Sequence, residues 1–130
     1  GLSYGEFSFG SVALSSTKMA DGETLTATLS VKNEGTRAGS EVVQAYVADV
    51  EATVARPEKE LMAFRKLTLE PGESAEVSFP ITARDLSFWD PEKSGWLAEA
   101  GDFELRVGRS SQDIRSSATF SLPGDIRSAR

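Results

Sequence analysis

Apolar and polar residues alternate along most of this chain, a period of two that predicts half-buried β-strands. The clearest strand runs from Glu23 to Lys32, where hydroxyl-bearing residues separate the apolar ones. We predict that its apolar face is buried, namely Leu25, Ala27, Leu29 and Val31. Ser40 to Asp49 carries apolar residues in both phases, so we expect a central strand or one covered on its outer side.

Two interruptions of this pattern mark strand ends. Gly10 and Ser11 lie within the extended segment 1–14, so we predict a bulge or crossing that redirects the chain there. Pro80 lies on the outward phase of the strand that ends at Ile81. Because proline within a sheet is confined to edges, we expect the end of this strand to lie at an edge.

The stretch from Glu58 to Leu69 has apolar residues in both phases. A short helix from Glu58 to Phe64 is the competing interpretation. We favour a strand because the run ends at Pro71-Gly72, which is typical of a type II turn.

The second half of the chain predicts one helical turn and several strands. Thr82 is placed to cap a short helical turn that ends at Leu86. Two short arms, at 87–90 and 95–99, flank a turn, and a further turn begins at Gly108. Strands are predicted on both sides of that second turn.

These elements predict an all-β fold, an antiparallel β-sandwich of about seven or eight strands. The 130 residues fit one domain, which we place at 1–122, followed by a polar tail at 123–130.

The composition narrows the chemistry, because the chain contains no cysteine and no histidine. Disulfides, thiolate metal sites and histidine bases are therefore excluded. The net charge of −6 and the scattered basic residues argue against nucleic-acid binding. No apolar run reaches the roughly 20 residues that span a membrane. No signal peptide is visible, and the compartment stays open between cytoplasm, periplasm and exterior.

Several segments, in order, are similar to one known family. They are GLSY (1–4), VKNEGTRAGSEVVQAYVAD (31–49), RPEKELMAF (56–64), LEPGES (69–74), DLSFWD (85–90) and GWLAEAGDFELRVGRSSQDIR (95–115). Together they resemble the C-terminal fibronectin type III-like domain of family 3 glycoside hydrolases, the β-glucosidase family. The resemblance implies an immunoglobulin-like sandwich, with residues 1–5 ending a linker from an upstream domain.

The same resemblance implies that catalysis belongs to other domains. Family enzymes hydrolyse β-glycosides with retention, using an aspartate nucleophile and a carboxylic acid partner in the upstream domains. No segment here matches the nucleophile motif, so we assign no catalytic residue. The pairs Glu58–Glu60 and Asp85–Asp90 lack an apolar pocket and are predicted to be solvated. Asp49 and Glu51 lack an ordered ligand pattern, so we expect no metal, and we expect no cofactor.

Two groups of residues are candidates for binding. The charged loop residues are candidates for docking onto a neighbouring domain or for shaping substrate access, with a solvated loop as the alternative: Arg56, Glu58, Lys59 and Glu60. Trp89 and Trp96 are candidates for stacking on a sugar. We favour the alternative that these rings close the sandwich core, with one of them at an interface.

Three functions remain as hypotheses. The leading one is an accessory domain of a β-glucosidase, acting in carbohydrate metabolism, which braces the catalytic domains and shapes substrate access. It predicts an unusually apolar face, at the Phe7–Phe9 segment or on the outer side of Ser40 to Asp49. The alternative is an independent carbohydrate-binding or adhesive module that takes β-glucoside or glucan, and the third hypothesis is a structural spacer.

Overall fold

The computed structural model describes residues 6–50 and 60–128, and this part of the chain is built almost entirely of strands. One 3₁₀ helix spans Ala83–Leu86. The strands are β1 (Phe7–Phe9), β2 (Ala13–Leu14), β3 (Leu25–Asn33), β4 (Gly39–Asp49), β5 (Glu60–Leu69), β6 (Ser74–Ile81), β7 (Phe88–Asp90), β8 (Gly95–Ala98), β9 (Gly101–Ser110), β10 (Asp113–Leu122) and β11 (Ile126–Ser128). The predicted all-β class is confirmed, and the short strands raise the number above the predicted seven or eight.

The strands form two main sheets and a small third one, all with antiparallel pairing. In the first sheet, β3 pairs with β6 on one side and with β1 and β2 on the other. The second sheet has the order β10-β9-β4-β5, so β4 is central, as its two-sided apolar pattern predicts. The third sheet has the order β11-β8-β7.

The core lies between the two main sheets and is filled by the predicted alternating residues. The inward positions of β3 are all buried, and Phe79, Phe103 and Phe120 are among the largest fully buried side chains. Phe103 and Phe120 stack across β9 and β10 with ring centroids 5.7 Å apart. Aromatic rings bury the most area per residue, so these three contribute strongly to stability.

The first segment is interrupted between Gly10 and Val12, as Gly10 and Ser11 predict, although β1 and β2 on either side both pair with β3. The Gly10 amide donates to the Ser30 carbonyl at 2.7 Å, and the Val12 amide then donates to Ser116 Oγ at 2.8 Å in the second sheet. Phe7 is buried in the core, so the prediction of an apolar face at the Phe7–Phe9 segment is wrong. The segment supplies its aromatic side chains to the interior instead.

Strand β5 confirms the strand interpretation of Glu58 to Leu69 where the structure describes it, and the helix alternative is wrong. Ala45 lies opposite Ala63 and Tyr46 opposite Leu61, so Met62 is an extra residue in β5. This bulge lets Met62 and Ala63 both pack against the core. It also explains why the apolar residues of this stretch occupy both phases.

Pro80 lies at a sheet edge, as predicted. It is opposite Thr26, and β6 pairs with no strand other than β3 in the described part of the chain. Thr26 uses its carbonyl to accept from the Ser15 amide and its amide to donate to Ser15 Oγ, both on the far side of β3. The Pro80 nitrogen therefore points towards the open edge of β6.

Two local predictions need correction. Gly108 was predicted to begin a turn, but it lies inside β9, where the bulged start of β10 approaches its backbone closely. Residues 126–128 were placed in a polar tail, but they form β11, and Ile126 is buried in the core. The folded unit therefore continues at least to Ser128. Residues 1–5, predicted to end a linker, lie outside the described residues.

Candidate functional site

The described members of both candidate groups, namely Glu60 and the two tryptophans, lie at the same end of the sandwich. At this end β4 finishes at Asp49, β5 starts at Glu60 and β9 starts at Gly101. The small sheet β11-β8-β7 adjoins it, because β8 leads into β9 and β11 follows β10. The opposite end holds the Pro71-Gly72 turn, where Gly72 has the positive φ of 78° that a type II turn requires.

The predicted docking residues lie almost entirely outside the described residues. This holds for Arg56, Glu58 and Lys59, and Glu60 is described only as the first residue of β5. Their role therefore stays a prediction. Their position is nevertheless informative, because they directly precede Leu61 in the sequence.

An apolar patch lies on the outer face of the second sheet, near the start of β5. Phe64 is 61% exposed and Leu61 is 53% exposed, and they lie opposite Gln44 and Tyr46. Tyr46 is almost buried although Ala45 and Val47, its neighbours in β4, face the core, and its hydroxyl donates to Gln44 Oε1. We call Leu61, Phe64 and Tyr46 the Phe64 patch. It lies on the outer side of Ser40 to Asp49, where an unusually apolar face was expected.

Charged side chains flank the Phe64 patch on β9. Arg106 lies opposite Tyr46, and its Nε donates to Glu104 Oε1 at 2.6 Å. The outer face therefore combines an apolar half on β4 and β5 with an ion pair beside it. An apolar centre with a polar rim is the usual anatomy of a protein–protein interface.

The two tryptophans form a second candidate site on the small sheet. Trp89 and Trp96 are directly opposite each other in β7 and β8, with ring centroids 5.5 Å apart and an interplanar angle of 74°. Trp89 is 41% exposed, and neither ring belongs to the core cluster. The favoured prediction that these rings close the core is therefore wrong, because the small sheet carries them beyond the end of the sandwich.

The 3₁₀ helix fixes the position of Trp96. Thr82 caps this helix as predicted, and Asp85 completes a capping box by accepting from the Thr82 amide at 2.8 Å. This turn places the Arg84 guanidinium 4.0 Å from the centroid of the Trp96 ring. A cation over an indole face is attracted by the ring quadrupole, so one face of Trp96 is already occupied.

A cavity of about 260 Å³ opens beside Trp96. The lining residues come from the β7–β8 turn, from β8 and from β11: Lys93, Ser94, Gly95, Trp96, Arg127 and Ser128. Gly95 has little space above it, because a Cβ there would lie 3.0 Å from the Ser128 carbonyl oxygen. The hairpin and β11 therefore approach closely at the floor of the cavity.

The carboxylate pair Asp85 and Asp90 serves the local structure. Asp85 completes the capping box of the 3₁₀ helix, whereas Asp90 accepts from Arg127 at 3.3 Å and from the Glu92 amide at 3.1 Å. Glu58 lies outside the described residues, so its pairing with Glu60 stays a prediction. Within residues 6–50 and 60–128, no group of three or more acidic side chains could hold a metal ion.

A third cluster of charges closes the end of the sandwich opposite the candidate sites. Arg109 Nε lies 2.8 Å from Glu41 Oε1, and Arg115 Nε donates to Asp113 Oδ1 at 2.6 Å. The hydrogen bond from Arg115 lowers the pKa of the Asp113 carboxyl below its usual value, and it raises the pKa of Arg115 in turn. These charged side chains pair with one another and are partly exposed, so we assign the cluster a structural role.

Sequence reasoning did not single out Leu61 and Phe64 as exposed residues. The available signal was the mixed phase of Glu58 to Leu69, which reports the bulge at Met62.

The helical content of residues 6–50 and 60–128 is a single 3₁₀ turn, so no helix there is long enough to cross a membrane.

Comparison with protein families gives a match over residues 41–111 to the fibronectin type III-like domain. The matched range contains most of β4 and all of β5, β6, the 3₁₀ helix, the tryptophan hairpin and β9. Leu61, Phe64, Trp89 and Trp96 therefore lie within the part of the chain that matches the family, whereas Arg127 and Ser128 of the cavity lie outside it.

Individual relatives cover nearly the whole chain. A β-glucosidase of Rhizobium radiobacter is 48% identical over 126 residues, and thermostable β-glucosidase B of Acetivibrio thermocellus is 40% identical over 114 residues. These matches span 96% and 88% of this chain but only 15% of each relative. Among solved structures, β-glucosidase 3B of Thermotoga neapolitana in complex with α-D-glucose matches with a TM-score of 0.87 and 40% identity. That match covers 98% of this chain and 17% of the other.

Proposed function

The chain belongs to the fibronectin type III-like domain family, and from this premise we propose that it is an accessory domain of a β-glucosidase-type glycoside hydrolase. In this proposal the domain braces the catalytic domains of a longer polypeptide, and those domains carry out the hydrolysis of β-glycosidic bonds. The domain supplies no catalytic residue.

One observation carries the proposal: each match takes in most of this chain but only a small part of the relative. Nearly all of this chain aligns with β-glucosidases of which it makes up about 15%. When a domain of this size recurs inside long enzymes, the rest of each enzyme is available for it to contact. The identity of 48% with one of these relatives supports a shared role as well as a shared fold.

The Phe64 patch supports a docking role. Phe64 and Leu61 are both exposed. Burying them against a partner would stabilise the contact by about 25 cal/mol per Å² of apolar area removed from water. Tyr46, the cross-strand neighbour of Leu61, is already shielded from water. We infer that the catalytic domains cover this patch and that the Arg106–Glu104 pair lies at the rim of the contact.

The charged loop adds a second part to the proposed contact. Arg56, Glu58, Lys59 and Glu60 directly precede Leu61, so a domain that covers the patch also approaches these residues. Their charges suit a polar rim, and in that position they would shape substrate access. This role depends on docking at the Phe64 patch.

The first test is the intact mass of the native polypeptide that carries this sequence, recovered from its source cells with an antibody. We expect a mass several times the 14.0 kDa of this chain and hydrolysis of an aryl β-glucoside by the recovered protein. A native mass near 14.0 kDa would overturn the proposal, since no catalytic domain would be attached.

The second test introduces a charge into the patch of that native polypeptide. Phe64→Asp should lower the midpoint of thermal inactivation, because docking would bury an unpaired carboxylate. Ser78→Asp is the matched control, because Ser78 is exposed on the outer face of β6 in the other main sheet. Equal effects of the two substitutions would show that the patch is not the docking surface.

A further inference from the structure

We propose that the corner formed by Trp89 and Trp96 binds a pyranose sugar ring, which stacks on Trp89 with its hydroxyl groups at the neighbouring cavity. This site is separate from the Phe64 patch, and it would give the domain a sugar-binding function of its own. The proposal does not depend on docking to catalytic domains.

The stacking surface is held in place by the small sheet. Trp89, Trp96 and Ser128 lie directly opposite one another across β7, β8 and β11, so their side chains share one face of that sheet. Arg84 covers a face of Trp96 at 4.0 Å, and Trp96 meets Trp89 edge to face. Trp89 is therefore supported from beneath while 41% of its side chain stays exposed. A pyranose ring with equatorial hydroxyls has flat C–H faces that suit such an indole surface.

The cavity next to Trp96 is small and suits a small ligand. Its volume of about 260 Å³ is below the roughly 300–1,000 Å³ of pockets for drug-sized ligands. It is open, and Lys93, Ser94 and Ser128 line it together with the indole. Ammonium and hydroxyl groups of this kind can pair with sugar hydroxyls, so the corner offers an apolar platform with polar groups beside it.

The opposite face of the small sheet has a bracing role. Asp90 lies opposite Gly95, and Arg127 lies opposite Leu97, so these side chains point away from the tryptophans. The 3.3 Å contact between Asp90 and Arg127 ties β7 to β11 across Gly95, which has no side chain to obstruct it. Arg127 also lines the cavity, so the ion pair holds one of the lining residues in place.

The composition of the corner favours a sugar over a protein partner. Protein interfaces are depleted of lysine at their centres, whereas Lys93 lines this cavity beside Trp96. The Phe64 patch shows the contrasting arrangement, with exposed apolar side chains and an ion pair at one side. The two surfaces therefore have different chemistry and suit different occupants.

The test is a titration of this 130-residue chain, ¹⁵N-labelled, with methyl β-D-glucopyranoside and with cellobiose. The two tryptophans give two indole N–H signals, which Trp89→Phe assigns. We expect both signals to shift and to saturate below about 50 mM sugar. Sorbitol, which carries similar hydroxyls without a ring, should cause no saturable shift. Shifts that do not saturate, or that sorbitol reproduces, would overturn the proposal.

Three variants connect the binding to the corner. Trp89→Ala should weaken binding by about tenfold or more, because it removes the stacking surface. Lys93→Ala keeps both rings and should weaken binding less, whereas Phe64→Ala, in the other candidate site, should leave it unchanged. Unchanged affinity in both Trp89→Ala and Lys93→Ala would exclude this corner. Because the chain is tested alone, that failure would leave the docking proposal standing.

Discussion

Asn33 Nδ2 donates a hydrogen bond to the Leu69 carbonyl oxygen, 3.0 Å away, and this bond joins the end of β3 to the end of β5 in the other main sheet. The same amide group donates to the Arg37 carbonyl at 2.8 Å, and Asn33 Oδ1 accepts from the Gly35 amide at 2.9 Å. Asn33 is fully buried, and its side chain satisfies three backbone groups.

Replacing Asn33 should therefore destabilise the domain strongly. Asn33→Ala leaves the three backbone groups without these partners, and we expect a loss of about 2–4 kcal/mol in the free energy of unfolding. Urea denaturation of the 130-residue chain measures this loss. Glu34→Ala is the neighbouring control, and its exposed contact with Lys32 should contribute no more than about 0.5 kcal/mol. Similar losses for both variants would contradict this account.

Gly108 should not tolerate a side chain. A Cβ at this position would lie 2.0 Å from the Asp113 carbonyl oxygen and 2.8 Å from the Ile114 Cα, so the backbone of β10 would have to move. We expect Gly108→Ala to cost about 2–4 kcal/mol. Gly124→Ala is the matched control, because nothing lies within 4 Å of its added Cβ. That control should be neutral or stabilising by up to about 1 kcal/mol, as measured by thermal unfolding.

Phe64 should contribute little to the stability of the isolated chain. Its side chain is 61% exposed, so Phe64→Ser should cost no more than about 1 kcal/mol. Phe79→Ala, in the core, should cost about 3–5 kcal/mol. Calorimetry on both variants measures the loss of stability. A small loss identifies a surface residue available for contact, and a large loss identifies a core residue. A large loss for Phe64→Ser would place Phe64 in the second group.

Asp113 should titrate below its ordinary pKa of 3.8, because the hydrogen bond from Arg115 favours the ionised form. Since this pKa is lower in the folded state, the pair stabilises the fold above the ordinary pKa. That contribution is lost as the pH falls through the folded-state pKa. The ¹³C chemical shift of the Asp113 side-chain carboxyl reports the midpoint of its titration. Arg115→Gln should raise this midpoint towards the ordinary value. An unchanged midpoint in that variant would assign the shift to another cause.

The strands that sequence predicts best are those with one strict phase. Leu25, Ala27, Leu29 and Val31 alternate without interruption, and all four are buried. Strand β5 could be predicted as a strand, but which of its residues face the core could not. The bulge at Met62 shifts the alternation of inward and outward residues by one position. Where a bulge falls depends on the partner strand, which local alternation does not specify.

The candidate sites show the same limit. The sequence indicated that the outer side of Ser40 to Asp49 would be apolar, yet the exposed residues there, Leu61 and Phe64, belong to the neighbouring strand. The position of Trp89 and Trp96 depended on whether their hairpin joined a main sheet. It forms a separate sheet with β11, and β11 lies in a segment whose polar composition gave no strand signal.

The proline in β6 has a consequence for self-association. An open strand edge is a template on which a second copy can add a strand, and repeated addition leads to aggregates and fibrils. Because the Pro80 nitrogen faces that edge and carries no hydrogen, an incoming strand finds no donor there. Pro80 thus disfavours polymerisation through β6. The native sheet loses no hydrogen bond, because the pairing of β6 with β3 uses no donor at this position.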